Sequence, residues 1–344
     1  MKSFANKQQN IVLIENQPQK EKEMTLSDQT GKYQHQADML ANKVKKRFQH
    51  LKKRYQKLNL DVFRLYDWDI PEIRAVVDWY GGHLVVGEYS RQQSTPEWLP
   101  LMGQTVAKVL NVPMENLHLK IRKTGIREGQ RYERINHTNQ KIAMSERDLK
   151  FYINLNDYVD TGLFSDHRNT RMMVREKIAG KHFLNLYCYT GAFTCYAAKG
   201  GASLTVSVDR SETAIHWARE NLELNGLSDP KHILIQKDTL DFLANKKPGY
   251  RDFDIAVVDP PSYSTTKINN IHFDIAADHP IMLNSVFKLM KKGGTVFFST
   301  NHQSFDLKSE ELTVADIKEI TSLTIPEDYQ TKQKLIHRCW EITV

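Results

Sequence analysis

Between residues 37 and 58, Leu40, Val44, Phe48, Leu51, Tyr55 and Leu58 recur at spacings of three and four, which predicts an amphipathic helix. Its other face carries Lys43, Lys45, Lys46, Arg47, Lys52, Lys53, Arg54 and Lys57. Residues 1–36 are polar and weakly patterned, so they predict a flexible leader or linker remnant. The segment 62–89 predicts strands, with 74–80 and 83–89 flanking Gly81-Gly82 as a two-residue hairpin. Thr95-Pro96-Glu97 then signals a helix start, with Thr95 as the cap. Two more strand-like stretches follow at 117–122 and 150–154.

Beyond about residue 166 the rhythm changes. Short apolar runs at 182–187, 204–208, 232–236, 253–258 and 295–299 alternate with helical patterns at 166–179, 191–199, 211–224, 238–245 and 274–291. That alternation predicts an α/β fold with a doubly wound, mostly parallel sheet. Candidates at 319–325 and 335–343, separated by Pro326, predict a terminal antiparallel pair. The expected organisation is a leader over 1–36, a smaller α+β domain over 37–150, and the α/β domain over 151–344.

Charge sharpens this division. Residues 1–150 hold 26 Lys and Arg against 17 Asp and Glu, which leaves 22 against 24 for the rest of a chain whose net charge is +7. A basic module joined to a near-neutral one suggests that the first meets a polyanion. Lys43, Lys46, Arg47, Lys53 and Arg54 on the helix, with Arg127 and Arg131 in the basic stretch 123–134, are the expected RNA contacts. No early apolar run reaches the length of a signal peptide core or membrane span, so a cytoplasmic location and no membrane partner are expected. Cys188, Cys195 and Cys339 form no CxxC pair and read as free thiols.

Candidate chemistry lies at the strand ends, where open α/β sheets bind ligands. The first strand runs into Tyr187-Cys188-Tyr189-Thr190-Gly191, and Gly191 permits close backbone approach. Asp209 closes the second strand 18 residues after Gly191, where a carboxylate can accept both ribose hydroxyls of an adenosine. Ser211 is available to cap the next helix. Asp238 closes the third strand and can accept from an adenine amino group, cap its helix, or do both. The GxGxxG dinucleotide pattern is absent.

The strongest motif is Asp259-Pro260-Pro261-Ser262-Tyr263 after the fourth strand. Its prolines stiffen the loop, so Asp259 and the Pro260 carbonyl can meet a planar nitrogenous edge without ordering the chain on binding. Tyr263 can stack on the base. Upstream, Asp160-Thr161-Gly162-Leu163-Phe164-Ser165-Asp166-His167-Arg168 offers Phe164 as a cofactor cover and Arg168 as a partner for a methionine carboxylate, against the alternatives of a core Phe and a surface ion pair.

Together these segments resemble the C-terminal, RlmK-type methyltransferase half of the bifunctional 23S rRNA guanine methyltransferases of the RlmKL type. The carrying pieces are Phe63-Arg64-Leu65-Tyr66-Asp67, Asp160–Phe164, Asp166-His167-Arg168, Phe183-Leu184-Asn185-Leu186 and Tyr189-Thr190-Gly191. Downstream come Trp217-Ala218-Arg219, Leu224-Asn225-Gly226-Leu227, Asp259-Pro260-Pro261 and Ile336-His337-Arg338-Cys339-Trp340. The resemblance implies a Rossmann-like sheet of the S-adenosylmethionine (SAM) methyltransferase kind, with SAM contacts at Phe164, Asp166, Arg168, Tyr189, Gly191, Asp209 and Asp238. It implies a target-base loop at 259–263, an RNA-guiding role for 37–150, 23S rRNA or its ribosomal precursor as partner, and no metal. The chain carries no partner guanine-N2 methyltransferase half, so it reads as a separated unit or a piece of a longer chain.

A 5-methylcytosine enzyme needs a thiolate to attack C6. The loop Asp259-Pro260-Pro261-Ser262 and the run Ser299-Thr300-Asn301-His302 hold no cysteine, and Cys188 and Cys195 read as packing residues. Guanine N7 needs no such group and is the expected target. The alternatives are an exocyclic amine (guanine N2 or adenine N6) and a catalytically silent RNA-binding ribosome-assembly factor. The acidic strand ends and the Asp-Pro-Pro loop argue against the last.

Overall fold

The structure is a computed structural model that describes residues 26–89, 95–122, 134–245, 249–265, 272–331 and 334–344. Helix α1 (Leu26–Lys57) buries Ala37, Leu40, Val44, Leu51 and Tyr55 along the expected stripe. It packs with α2 (Trp98–Leu110) against the sheet β1 (Val62–Asp67), β2 (Ala75–Tyr80), β3 (His83–Tyr89) and β4 (Leu117–Arg122). β1, β2 and β3 are antiparallel, with Tyr80 opposite His83 across the expected hairpin, and β4 joins β3 in parallel.

Two expectations change here. The leader expected to be flexible over 1–36 is helical from Leu26. Tertiary contact explains it: Trp98 donates its indole N–H to Gln36 Oε1 (2.7 Å) and Tyr33 packs on the core, so α2 supports a turn that polarity alone would leave frayed. Helix α2 begins at Trp98, not at Pro96, and Thr95 donates its hydroxyl to Tyr33 (3.4 Å) instead of capping the helix.

The larger sheet contains β7 (His182–Leu186), β8 (Leu204–Asp209), β9 (His232–Gln236), β10 (Phe253–Val258), β13 (Met290–Thr300), β14 (Asp316–Glu319) and β15 (Arg338–Thr343). Their order is β14-β15-β13-β10-β7-β8-β9, with β15 antiparallel to both neighbours and the central pairs parallel. Helices α3 (Arg168–Lys177), α4 (Ala192–Lys199), α5 (Glu212–Leu224), α6 (Thr239–Ala244) and α7 (Ile275–Phe287) flank it. Both faces are covered. Phe183, Ile255, Val257 and Phe297 face one core, while Leu184, Ala256, Val258 and Phe298 face the other, which is why these strands read as continuous apolar runs. The strand expected over 319–325 stops at Glu319, because the Thr321 hydroxyl accepts the Cys339 N–H (3.0 Å) that a carbonyl would take in a ladder.

A hairpin, β5 (Ile142–Glu146) and β6 (Leu149–Ile153), joins the two sheets. Met144, Phe151 and Ile153 pack with Val62, Tyr80 and Val85 and equally with Tyr196 and Leu222. The boundary expected after residue 150 therefore falls inside a strand. No helix among the described residues is long and apolar enough to cross a membrane.

Candidate active site

The turn after β7 is strained, with Tyr187, Tyr189 and Gly191 all at positive φ. At Gly191 (φ 73°) a Cβ would lie 2.8 Å from the Ala218 Cβ on α5, so this close approach admits only glycine. Asp209 closes β8 and holds the turn: Oδ2 accepts the Tyr189 N–H (2.9 Å) and Oδ1 the Ser211 N–H (2.9 Å). Burial pushes its carboxyl above the usual range, partly offset by these backbone donors. Ser211 caps α5 as expected, accepting from the Ala214 N–H (3.2 Å).

Phe164 forms the opposite lip, 43% exposed, with its ring 5.2 Å from that of Tyr189. Its loop is pinned from three directions. Gly162 (φ 105°) leaves no room for a Cβ beside the Trp217 ring, and Thr190 donates its hydroxyl to the Gly162 carbonyl (2.6 Å). Arg171 donates to the Phe164 carbonyl (2.9 Å) while forming a buried bidentate pair with Glu146 of β5 (2.8 and 2.7 Å). Asp238 caps α6, its Oδ1 accepting from Leu240 (2.9 Å) and Asp241 (3.3 Å), so the capping alternative is realised through one oxygen.

Asp259 follows β10 with its side chain 31% exposed. Ser299, near the end of β13, donates its hydroxyl to Asp259 Oδ1 (2.6 Å), and His167 Nε2 lies 3.5 Å from Oδ2. Pro260 is buried, and Ser262 donates its hydroxyl to Asn301 Oδ1 (2.7 Å), so two bonds tie the loop to the next strand end. Tyr263 begins the short strand β11 (Tyr263–Thr265), paired with β12 (His272–Asp274); its side chain lies outside the described residues.

Asp166, expected among the SAM contacts, sits in a buried cluster behind Asp259. His337 Nδ1 lies 3.0 Å from its Oδ2, and His167 Nε2 3.6 Å away. Burial alone would raise the Asp166 carboxyl, but charge on His167 and the His337 hydrogen bond hold it well below the usual range. Burial pushes His167 down despite Asp259 and Asp166. Its Nδ1 is buried without a hydrogen-bond partner among the described residues. Asp166, His167 and His337 bring potential ligand atoms within 4.8 Å of one another. The two imidazoles stack at 4.3 Å and 10°, and a nitrogen of each approaches Asp166 Oδ2.

Arg168 overturns its expectation. It is 2% exposed and donates to both oxygens of Asp328 (2.9 and 3.0 Å) and to the Val62 carbonyl (3.0 Å). Asp328 also accepts from the Tyr55 hydroxyl (2.9 Å) and the Arg64 N–H (3.0 Å), so Arg168 welds α3 to α1, β1 and the Glu327–Tyr329 turn. A methionine carboxylate cannot displace a partner buried this deeply without stranding Asp328. On α1, Arg47 donates to the Glu327 carbonyl (2.6 Å), Arg54 pairs with the Glu327 carboxylate, and Lys43 lies 3.4 Å from Asp69. Lys46 and Lys53 are exposed on that helix. Arg127 and Arg131 lie outside the described residues.

A seven-stranded sheet with one reversed strand, an adenosine-type carboxylate after its second strand and an Asp-Pro-Pro loop after its fourth narrow the comparison sharply. The chain matches the S-adenosylmethionine-dependent methyltransferase family over residues 68–331. It belongs to that family. Ribosomal RNA large subunit methyltransferase K of Neisseria meningitidis serogroup B is 39% identical over 88% of this chain and 86% of its own length. Ribosomal RNA large subunit methyltransferase K/L of Aeromonas hydrophila is 39% identical over 89% of this chain but 43% of its own, so the chain spans less than half of such K/L proteins. Among solved structures, SMU.776, crystallised with SAH, shares the fold at a TM-score of 0.68 and 21% identity over 88% of this chain and 82% of that one.

This methyltransferase fits its SAM cofactor. Of the expected SAM contacts, Phe164 and Tyr189 set their rings 5.2 Å apart, Gly191 makes the close backbone approach, and Asp209 and Asp238 stand at neighbouring strand ends. Its three cysteines are buried and free, and burial pushes each thiol up, Cys195 to about 12 and Cys339 further still with Asp259 nearby. Sequence reasoning named His167, Ser299 and His337 within motifs but gave them no role. Their signal is tertiary, because only the fold brings 167, 259, 299 and 337 together.

Proposed function

We propose that this methyltransferase methylates N7 of a specific guanine in 23S rRNA or its ribosomal precursor, with residues 37–150 guiding the RNA. The observation that carries the reading is the partly exposed Asp259 carboxylate at the end of β10, on a proline-stiffened loop and fixed by Ser299; burial and Asp259 itself push up the thiol of Cys339, which lies opposite Ser299 in β15. Bound SAM supplies an electrophilic methyl on a sulfonium sulfur. Guanine N7 carries an in-plane lone pair and no proton, so the chain has no proton to remove. Its task is alignment, which contributes on the order of 7–11 kcal/mol when reacting atoms are held in line. Asp259 accepts from the guanine N1–H and amino edge and offsets the positive charge that grows on the base. A base inside a helix must flip out, with Tyr263 as its stacking partner.

The relatives' names, their 39% identity and the basic face of α1 support the RNA substrate. A separately encoded guanine-N2 methyltransferase half fits as a partner, because the K/L relatives are more than twice the length matched here. One observation favours a second reading, an exocyclic amine: His167 beside Asp259 is a base that a proton-losing amine would use. Incubation with 23S rRNA from cells lacking this gene, followed by nucleoside mass spectrometry, decides between them. We expect 7-methylguanosine; N2-methylguanosine or N6-methyladenosine instead would overturn the N7 reading.

A further inference from the structure

A cleft of about 350 Å³ opens beside the Asp259 cluster, and neither the cofactor turn nor the Asp-Pro-Pro loop contributes to its wall. Thr300, His302 and Gln303 line one side, at and just past the end of β13; Lys334, His337 and Arg338 line the other, just before and at the start of β15. His337 and Arg338 belong to the run 336–340, a motif to which methyl transfer assigns no role. The cleft adjoins the chemistry twice over. Thr300 follows Ser299, whose hydroxyl holds Asp259, and His337 stacks on His167, which reaches Asp259.

The lining suits a nucleotide. Gln303 spends its amide N–H groups on the Asn301 (3.1 Å) and Leu335 (3.0 Å) carbonyls and keeps its side-chain oxygen as an acceptor. Arg338 is locked bidentate on Glu319 (3.0 and 2.8 Å), so it contributes shape more than charge. Lys334 is the displaceable cation: its amine is 3.5 Å from Asp67 and its side chain is 33% exposed. Asp67 is buried and pairs with Arg64 as well (2.7 Å), so it keeps a cation when the partly exposed Lys334 turns to a phosphate. On the same connection, Glu327 holds Arg47, His50 and Arg54 of α1, which brings the basic helix to the segment that forms the cleft. The volume falls within the range of built small-ligand pockets, about 300–1,000 Å³.

We propose that this cleft binds the nucleotide next to the target base, with Lys334 meeting its phosphate and the His302–Gln303 wall its base or sugar. The proposal rests on the RNA-methylation reading but not on which atom is methylated. The test uses the full chain and an RNA fragment spanning the methylated position, with the phosphate on each side of the target replaced in turn by an uncharged methylphosphonate. One replacement raises the wild-type KM for RNA about fivefold to tenfold, the scale of one well-placed contact. Lys334→Ala raises KM by the same factor, and both changes together cost no more than either alone. SAM affinity and the thermal midpoint serve as controls, and Lys334→Gln replaces the alanine variant if the melt shifts. A wild-type KM indifferent to both replacements, or fully additive losses, overturns the cleft proposal while RNA methylation stands. Absence of transfer by the wild-type chain to any RNA overturns both.

Discussion

The strand-end row and the junction between the two sheets use the same residue types in opposite ways. At the strand ends, Asp209 and Asp238 accept backbone N–H groups, and Asp259 accepts from a serine and keeps part of its surface open. At the junction, Asp328 is wholly enclosed and accepts from Arg168, Tyr55 and Arg64, while Arg64 itself bridges Asp67 (2.7 Å) and Asp78 (2.8 Å). A carboxylate held by neutral donors retains charge for a ligand; one matched to a buried guanidinium has none to offer. The partner, not the residue type, separates a binding group from a structural one.

The sharpest way to break that contrast is Arg168→Ala. It strands Asp328 in the interior and should destabilise the chain by about 3–5 kcal/mol, measured by urea unfolding. Unchanged stability with lost SAM binding would return Arg168 to the cofactor. Next in size, Asp259→Asn removes charge from the open end and should lower turnover about a hundredfold, with SAM affinity by calorimetry nearly unchanged. A matching loss of SAM affinity would refute its role on the target base.

The smallest effect lies between the two regions, at Asp166. Its carboxyl is held below the usual range, so it contributes stability above that range and loses it as the pH falls through its own depressed value. Asp209 works in the opposite sense: burial raises its carboxyl, so its contribution is complete below the ordinary range and declines as the pH rises through the raised value. Asp166→Asn should therefore flatten part of the acid limb of a stability-versus-pH curve. A limb as steep as the wild type's would mean that the His337 contact does not stabilise the charged form.

Much of this was legible before any coordinates. The strands at 232–236 and 253–258 fall where the apolar runs put them, and Ser211 takes the cap that left Asp209 free for another role. The Arg168–Asp328 pair leaves no signal in the sequence, because its two members lie 160 positions apart. The early part of α1 was missed for a related reason, since the indole that supports Gln36 comes from α2.

Periodicity and turn chemistry are local properties, so the chain's own order of residues determined its strands, helices, Asp-Pro-Pro loop and strand-end acids. Pairing is not local. That Arg168 meets Asp328, that Asp166 meets His337, and where a cleft opens beside Asp259 were decided only when the two sheets packed. A charge shows its role through what surrounds it, and the surroundings come from distant parts of the chain.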